Sequence, residues 1–167
     1  MGSRHSREEI LDGAVRVLLE RGVSGLSFAS VGDALGIADR TVVYYFPTKA
    51  HLLQAAVEAG SVSLRDLLGA AFGTDALPPA DLIERAWPVI SSAEAHPWMR
   101  VYLELIGASA RGDEPHRSLA RSITESWIAW VAERVAAATP ADRLREAQQV
   151  VAAIDGRLVI HTLGIEA

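Results

Sequence analysis

Two short helical patterns flank a single glycine, and that arrangement restricts this chain more than any other part of it. The first runs from Ser27, a residue with N-cap chemistry, to Leu35, and Gly36 ends it. The second covers Asp39 to Tyr45 and is stopped by Pro47. Helices that cross at roughly 90–120° over a short turn need a small residue where they meet, a glycine in the turn and apolar anchors at set offsets. Gly32 occupies the crossing position and Gly36 the turn, while Val31, Leu35, Ile37, Val42 and Tyr45 supply the anchors. Every one of these positions suits a helix-turn-helix.

The rest of the chain reads as helix as well. Alanine, leucine, arginine and glutamate dominate, and no β-branched run repeats at period two. Ser6 and Glu9 form a capping box ahead of Ile10, Leu11, Ala14, Val17 and Leu18, and Gly22 stops that helix. A fourth helix starts at Thr48 and fades at Gly73, and Pro78-Pro79 marks a linker. Further helices are expected over Asp81–Ala95, Pro97–Ala110 and Glu114–Ala138. The last covers Pro140–Leu163, where Thr139 is the N-cap and Pro140 takes the first helical position. The expected fold is all-α, with a three-helix unit that carries the helix-turn-helix over 1–47 and a larger helical bundle over 48–167.

Composition excludes several alternatives. Half the residues are hydrophobic and 22 % are charged, a globular balance, and the absence of cysteine removes disulfides, thiolate nucleophiles and thiolate metal sites. The longest stretch without a formal charge, Gly22–Gly32, is rich in Ser and Gly and fits no membrane helix. No secretory signal follows Met1, so the cytoplasm is the expected location. No Gly-x-Ser-x-Gly elbow, Walker loop, Gly-x-Gly-x-x-Gly or His-Glu-x-x-His is present, and no catalytic residue, cofactor or metal is assigned. Asp113, Glu114 and His116 read as a solvated acidic turn rather than a metal loop.

The net charge of −5 is unevenly spread. Residues 1–50 carry six basic and six acidic side chains, a balance of zero, so the acidity belongs to the remainder. A positive contact surface in the first fifty residues is therefore allowed. Asp39, Arg40, Thr41, Val43 and Tyr44 alternate around the buried positions Val42 and Tyr45, and arginine and threonine suit base edges and phosphates. Lys49, the single lysine, stands near a helix N-terminus whose free N–H groups point at the same anion.

The run from Gly25 through Tyr45-Phe46-Pro47-Thr48-Lys49 to Leu52-Leu53 resembles the DNA-binding domain of TetR-family transcriptional regulators, over roughly residues 6–57. The resemblance implies that Ser27 and Phe28 touch the DNA backbone where the second helix begins. It implies base or phosphate contacts for Arg40, Thr41 and Tyr44, a shared aromatic position for Tyr45 and a phosphate site at Lys49. Val43 stands where the family usually has tyrosine, Arg40 where glycine is common, and Ala38 where serine is frequent, which leaves Asp39 as the capping candidate.

The same resemblance implies a C-terminal domain whose last two long helices pair between subunits, and a two-fold reader of DNA needs such a pairing. The expected homodimer interface comprises Leu119, Ile123, Trp130, Val150, Ile154 and Leu158. An effector pocket is expected among Phe72, Trp87, Trp98, Met99, Tyr102 and Trp127, with Glu104, His116 or His161 as polar orienters. That lining favours an unknown apolar or aromatic small molecule. The resulting function is a one-component regulator, a repressor, that binds a palindromic operator in double-stranded DNA and is released by its effector. The alternative is a helical ligand- or protein-binding dimer that has lost specific DNA recognition.

Overall fold

The computed structural model describes residues 5–165, and these form eight helices and no strand. In chain order they are α1 (Arg7–Gly25), α2 (Phe28–Leu35), α3 (Asp39–Tyr45) and α4 (Lys49–Phe72). There follow α5 (Pro79–Ile90), α6 (His96–Ala110), α7 (Glu114–Ala132) and α8 (Pro140–Thr162). Two compact units result. One contains the N-terminal helices through Ser63 together with Arg100–Leu119; the other contains Leu64–Met99 and the chain from Ala120 onward. The division expected at Pro47 follows the end of α3, whereas these units cut α4, α6 and α7.

In the first unit the local chemistry of the helix ends is as the residue types demand. Ser6 Oγ accepts from the Glu9 N–H at 3.1 Å, and Glu9 Oε2 accepts from the Ser6 N–H at 2.8 Å. Ile10, Ala14, Val17 and Leu18 then face inward and are fully buried. Gly13 lies so close to α2 that an added Cβ would sit 2.8 Å from the Leu35 side chain. Ser27 and Ser30 satisfy each other's backbone N–H groups at the start of α2, and the buried Ser30 hydroxyl also reaches the Gly25 carbonyl at 3.0 Å. Ser30 thereby stitches the end of α1 to the start of α2.

The crossing of α2 and α3 depends on Gly32. An added Cβ there would meet the Ile37 carbonyl oxygen at 2.8 Å and the Asp39 nitrogen at 3.3 Å, both rigid backbone. Gly36 adopts φ 67°, ψ 33°, the left-handed conformation that lets its N–H cap the end of α2. Val31, Val42 and Phe46 close the interior of the pair with no exposed surface.

The second unit corrects two expected helix ends. The seventh helix stops at Ala132, not Ala138, because the next residues pair with another segment. The Leu77 N–H donates to the Arg134 carbonyl, and the Ala136 N–H donates to the Leu77 carbonyl, each at 2.8 Å. The fifth helix stops at Ile90, not Ala95. The Ser91 hydroxyl turns back to the Trp87 carbonyl, and the Ser92 hydroxyl accepts from the Ala95 N–H to start α6. Helix α8 begins as expected, with Thr139 accepting from the Asp142 N–H at 3.1 Å and Pro140 following it. The Thr139 hydroxyl, then Arg145, hold the Asp142 carboxyl below its ordinary range. Leu82 and Ala86 of α5 and Ala147 and Val150 of α8 are buried where these two helices pack.

Gly32→Ala must separate two backbones and should destabilise the chain by about 2–3 kcal/mol. Gly36→Ala meets open space and should cost only the left-handed backbone, about 1 kcal/mol. Urea unfolding of both variants checks the order; equal midpoints would contradict the crossing argument.

Candidate nucleic-acid interface

Helix α3 is short, and its geometry separates anchor from display. Val42 is fully buried, while Val43 is 39 % and Tyr44 78 % exposed. Asp39 and Arg40 are exposed beside them and Thr41 is half-buried. Ala38 occupies the cap position and offers no side chain to the helix start, so Asp39 Oδ1 takes the Arg40 N–H at 2.7 Å. One free donor is thus satisfied by the residue expected to substitute for a capping serine.

Tyr45 faces the other way. Its half-buried hydroxyl donates to the His5 carbonyl at 3.0 Å, and the Tyr44 ring meets its ring edge-on at 4.9 Å. Tyr45 therefore ties the start of α1 to α3 as well as lying near the displayed face. Ser27 and Phe28 are half-buried at the head of α2, with the Ser27 hydroxyl engaged in the cap already described. Thr48 accepts from the His51 N–H at 3.1 Å, and Lys49 is exposed in the first turn of α4.

A further cation was not nominated from sequence. The Arg7 guanidinium lies 4.8 Å from the centre of the Phe46 ring, just beyond the end of α3, and Arg7 is exposed. A positive charge in the first turn of a helix opposes the helix dipole, and stacking on Phe46 offsets that cost. An arginine at this unfavourable position, inside the capping box formed by Ser6 and Glu9, was the available signal. Arg7, Arg40 and Lys49 give this unit three exposed cations on or beside the ends of α1, α3 and α4.

Several of the aromatic residues expected around an effector make ring contacts. Phe72 is buried and lies 5.6 Å from the Trp130 ring, which meets Trp127 at 5.5 Å. Trp87 belongs to a separate group with His161 at 5.4 Å. Met99 is buried and Trp98 half-buried in the same unit, whereas the half-buried Tyr102 belongs to the first unit. The ring faces also carry cations: Arg65 over Trp127, Arg134 over Trp130 and Arg157 over Trp87, at 5.1, 3.7 and 4.4 Å. Of the expected orienters, Glu104 accepts from the Val23 N–H, His116 pairs with Asp113 at 2.7 Å, and the His161 ring meets Trp87 edge-on.

Of the residues expected between subunits, Ile123, Val150 and Leu158 are buried within the protomer. Leu119, Trp130 and Ile154 are half-buried. Exposed apolar surface on α8 lies instead at Leu144, Val159 and Ile160, with Leu163 and Ile165 just beyond it. Among the described residues no group of three metal-ligating side chains converges, and no helix is long and apolar enough to cross a membrane.

A buried two-helix crossing that displays one polar face, with cations beside it, defines a helix-turn-helix protein. Residues 10–56 match the family described as bacterial regulatory proteins, tetR family. That match is confined to the N-terminal stretch, and the chain as a whole has the fold of solved structures assigned to TetR-family transcriptional regulators. A protein of Rhodococcus sp. assigned to that family superposes with a TM-score of 0.76 at 18 % identity, covering 96 % of this chain and 89 % of its own. The multidrug binding protein EbrR complexed with proflavin gives 0.69 at 23 % identity, over 97 % and 90 %. A protein of Saccharomonospora viridis assigned as a transcriptional regulator, in complex with choline, gives 0.68 at 22 %, over 95 % and 85 %. A comparison with curated protein sequences gave no match.

Tyr44→Ala should leave stability within about 0.5 kcal/mol, since the side chain is mostly exposed. Tyr45→Phe loses the bond to His5 and should cost about 1 kcal/mol. Thermal unfolding of the two variants separates display from anchor.

Proposed function

We propose that this protein is a one-component transcriptional repressor that binds a near-palindromic operator as a homodimer and is released by a small molecule. The observation that carries the reading is the face of α3. Asp39, Arg40, Thr41, Val43 and Tyr44 are displayed by a helix whose register is locked by Val42 and the Gly32 crossing. Arg40 is assigned to a base edge or phosphate, Thr41 and Tyr44 to the same groove, and Lys49 and Arg7 to flanking phosphates. Ser27 and Phe28 approach the backbone at the head of α2. Tyr45 contributes by fixing the start of α1 rather than by reading a base. The protein acts in the cytoplasm and is not an enzyme.

A second copy is assigned to α7 and α8, where Leu119, Trp130 and Ile154 remain partly open and Leu144, Val159, Ile160 and Leu163 are exposed. Gln148, Ala152 and Gly156 lie between them on α8, all exposed, and an added Cβ at Gly156 would meet nothing within 4 Å. Such a strip allows two helices to approach closely. The effector is assigned to the aromatic second unit. EbrR holds proflavin and the S. viridis protein holds choline. Here arginines already cover three tryptophan faces, which disfavours a compact cation such as choline and suits an apolar or planar aromatic effector. Release follows when the effector prefers the arrangement of the two recognition helices that does not fit the operator.

Fluorescence anisotropy on a duplex from upstream of the protein's own gene, at several salt concentrations, tests the assignment. Two subunits should bind per duplex with a steep salt slope. Lys49→Ala should lower that slope by about 1 and weaken all sequences alike. Arg40→Ala should change the preferred operator variant, costing about 1–3 kcal/mol on the best one. Val159→Asp with Leu163→Asp should give a monomer by sedimentation. Binding with no salt slope would favour a helical ligand- or protein-binding dimer without specific DNA recognition.

A further inference from the structure

Helix α1 is broken three residues before its end. Gly22 has φ 73°, ψ −177°, a conformation open essentially to glycine alone, inside the span Arg7–Gly25. A helix running straight through would pair the Val23 N–H with the Leu19 carbonyl, four residues back. The Gly22 conformation turns that N–H away and leaves a donor and an acceptor on buried or half-buried backbone, where an unmet polar group is costly.

Helix α6 supplies both replacements. Glu104 Oε2 accepts from the Val23 N–H at 2.6 Å, and the Arg100 guanidinium donates to the Leu19 carbonyl. The two side chains stand one turn apart on α6 and pair with each other at 3.9 Å. The Glu104 carboxylate also fills the space where a Gly22 Cβ would lie, its oxygens 2.5 and 2.6 Å from that point. One broken helical hydrogen bond is thus replaced, donor for donor and acceptor for acceptor, by one ion pair on another helix.

We infer that Arg100 and Glu104 are a splint that selects the broken form of α1, and that the break is a two-state hinge setting the position of the helix-turn-helix. With the splint in place, Val23 and Leu26 are held in the core, and Ser27 starts α2 directly after them. With the splint withdrawn, the Val23–Leu19 bond can re-form, the helix closes, and the residues leading into α2 must turn. The regulatory consequence rests on the repressor reading above; the hinge itself does not.

The test follows the Val23 amide by NMR hydrogen exchange in the full chain. Glu104→Ala should speed its exchange about tenfold, as expected for losing one charge-assisted hydrogen bond. Glu104→Gln keeps an acceptor oxygen and should restore most of the protection. Gly22→Ala favours the continuous helix, so adding Glu104→Ala in that background should change exchange by less than about twofold, a non-additivity that a shared two-state element requires. Equal effects of Glu104→Ala in both backgrounds would mean general loosening and would overturn the splint. On the duplex used above, Gly22→Ala and Glu104→Ala should each shift Kd at least about fivefold and Glu104→Gln less than about twofold. Unchanged affinities would overturn the regulatory consequence. A wild-type chain that binds no duplex would overturn the repressor reading, while the Val23 amide still decides the hinge.

Discussion

A carbonyl oxygen 2.8 Å from where a side chain would begin sets the geometry of the helix-turn-helix. Because Gly32 has no Cβ, the turn at Ile37 lies against α2, and the crossing angle of α2 and α3 follows. From that contact come the burial of Val42 on one face of α3 and the exposure of Arg40, Val43 and Tyr44 on the other. A displayed face has value for recognition only if its register is fixed, and here the register is fixed by backbone rather than by a flexible side chain. The small helices contribute little stability alone, so the apolar anchors and the close approach at Gly13 hold them to α1.

The same unit contains a second backbone constraint of opposite character. At Gly32 a missing side chain permits close packing. At Gly22 it permits a conformation that breaks a helix, and the break is stable because another helix meets the exposed polar groups. The packed crossing keeps α2 and α3 together as one body, and the break at Gly22 lies just before that body begins.

Much of this was legible beforehand, because the signals are local. Caps at Ser6, Ser27 and Thr139, stops at Gly22 and Gly36, and the anchors around Gly32 each depend on residues within one or two turns. The errors arose where distant segments compete. Helix α7 ends early because Leu77 pairs with the backbone around Val135, and nothing in the residues after Ala132 announces that partner. Glu104 was expected to face an effector, and the partner the structure gives it is a backbone N–H 81 residues away in the chain. Trp87, Trp98 and Trp127 were expected as apolar pocket walls; the ring contacts and the arginine partners of Trp87 and Trp127 are tertiary facts.

The sequence by itself therefore determined the helical fold, the helix-turn-helix and the residues of its displayed face. Helix propensity, capping and steric need for glycine all act over a few residues. Only the tertiary structure decided which apolar residues of α7 and α8 are spent inside the protomer and which remain open. It alone also placed Arg100 and Glu104 against the backbone groups freed at a glycine read as a helix stop. Both answers depend on which long-range partner reaches a group first, and that competition is settled by packing rather than by the chain's local preferences.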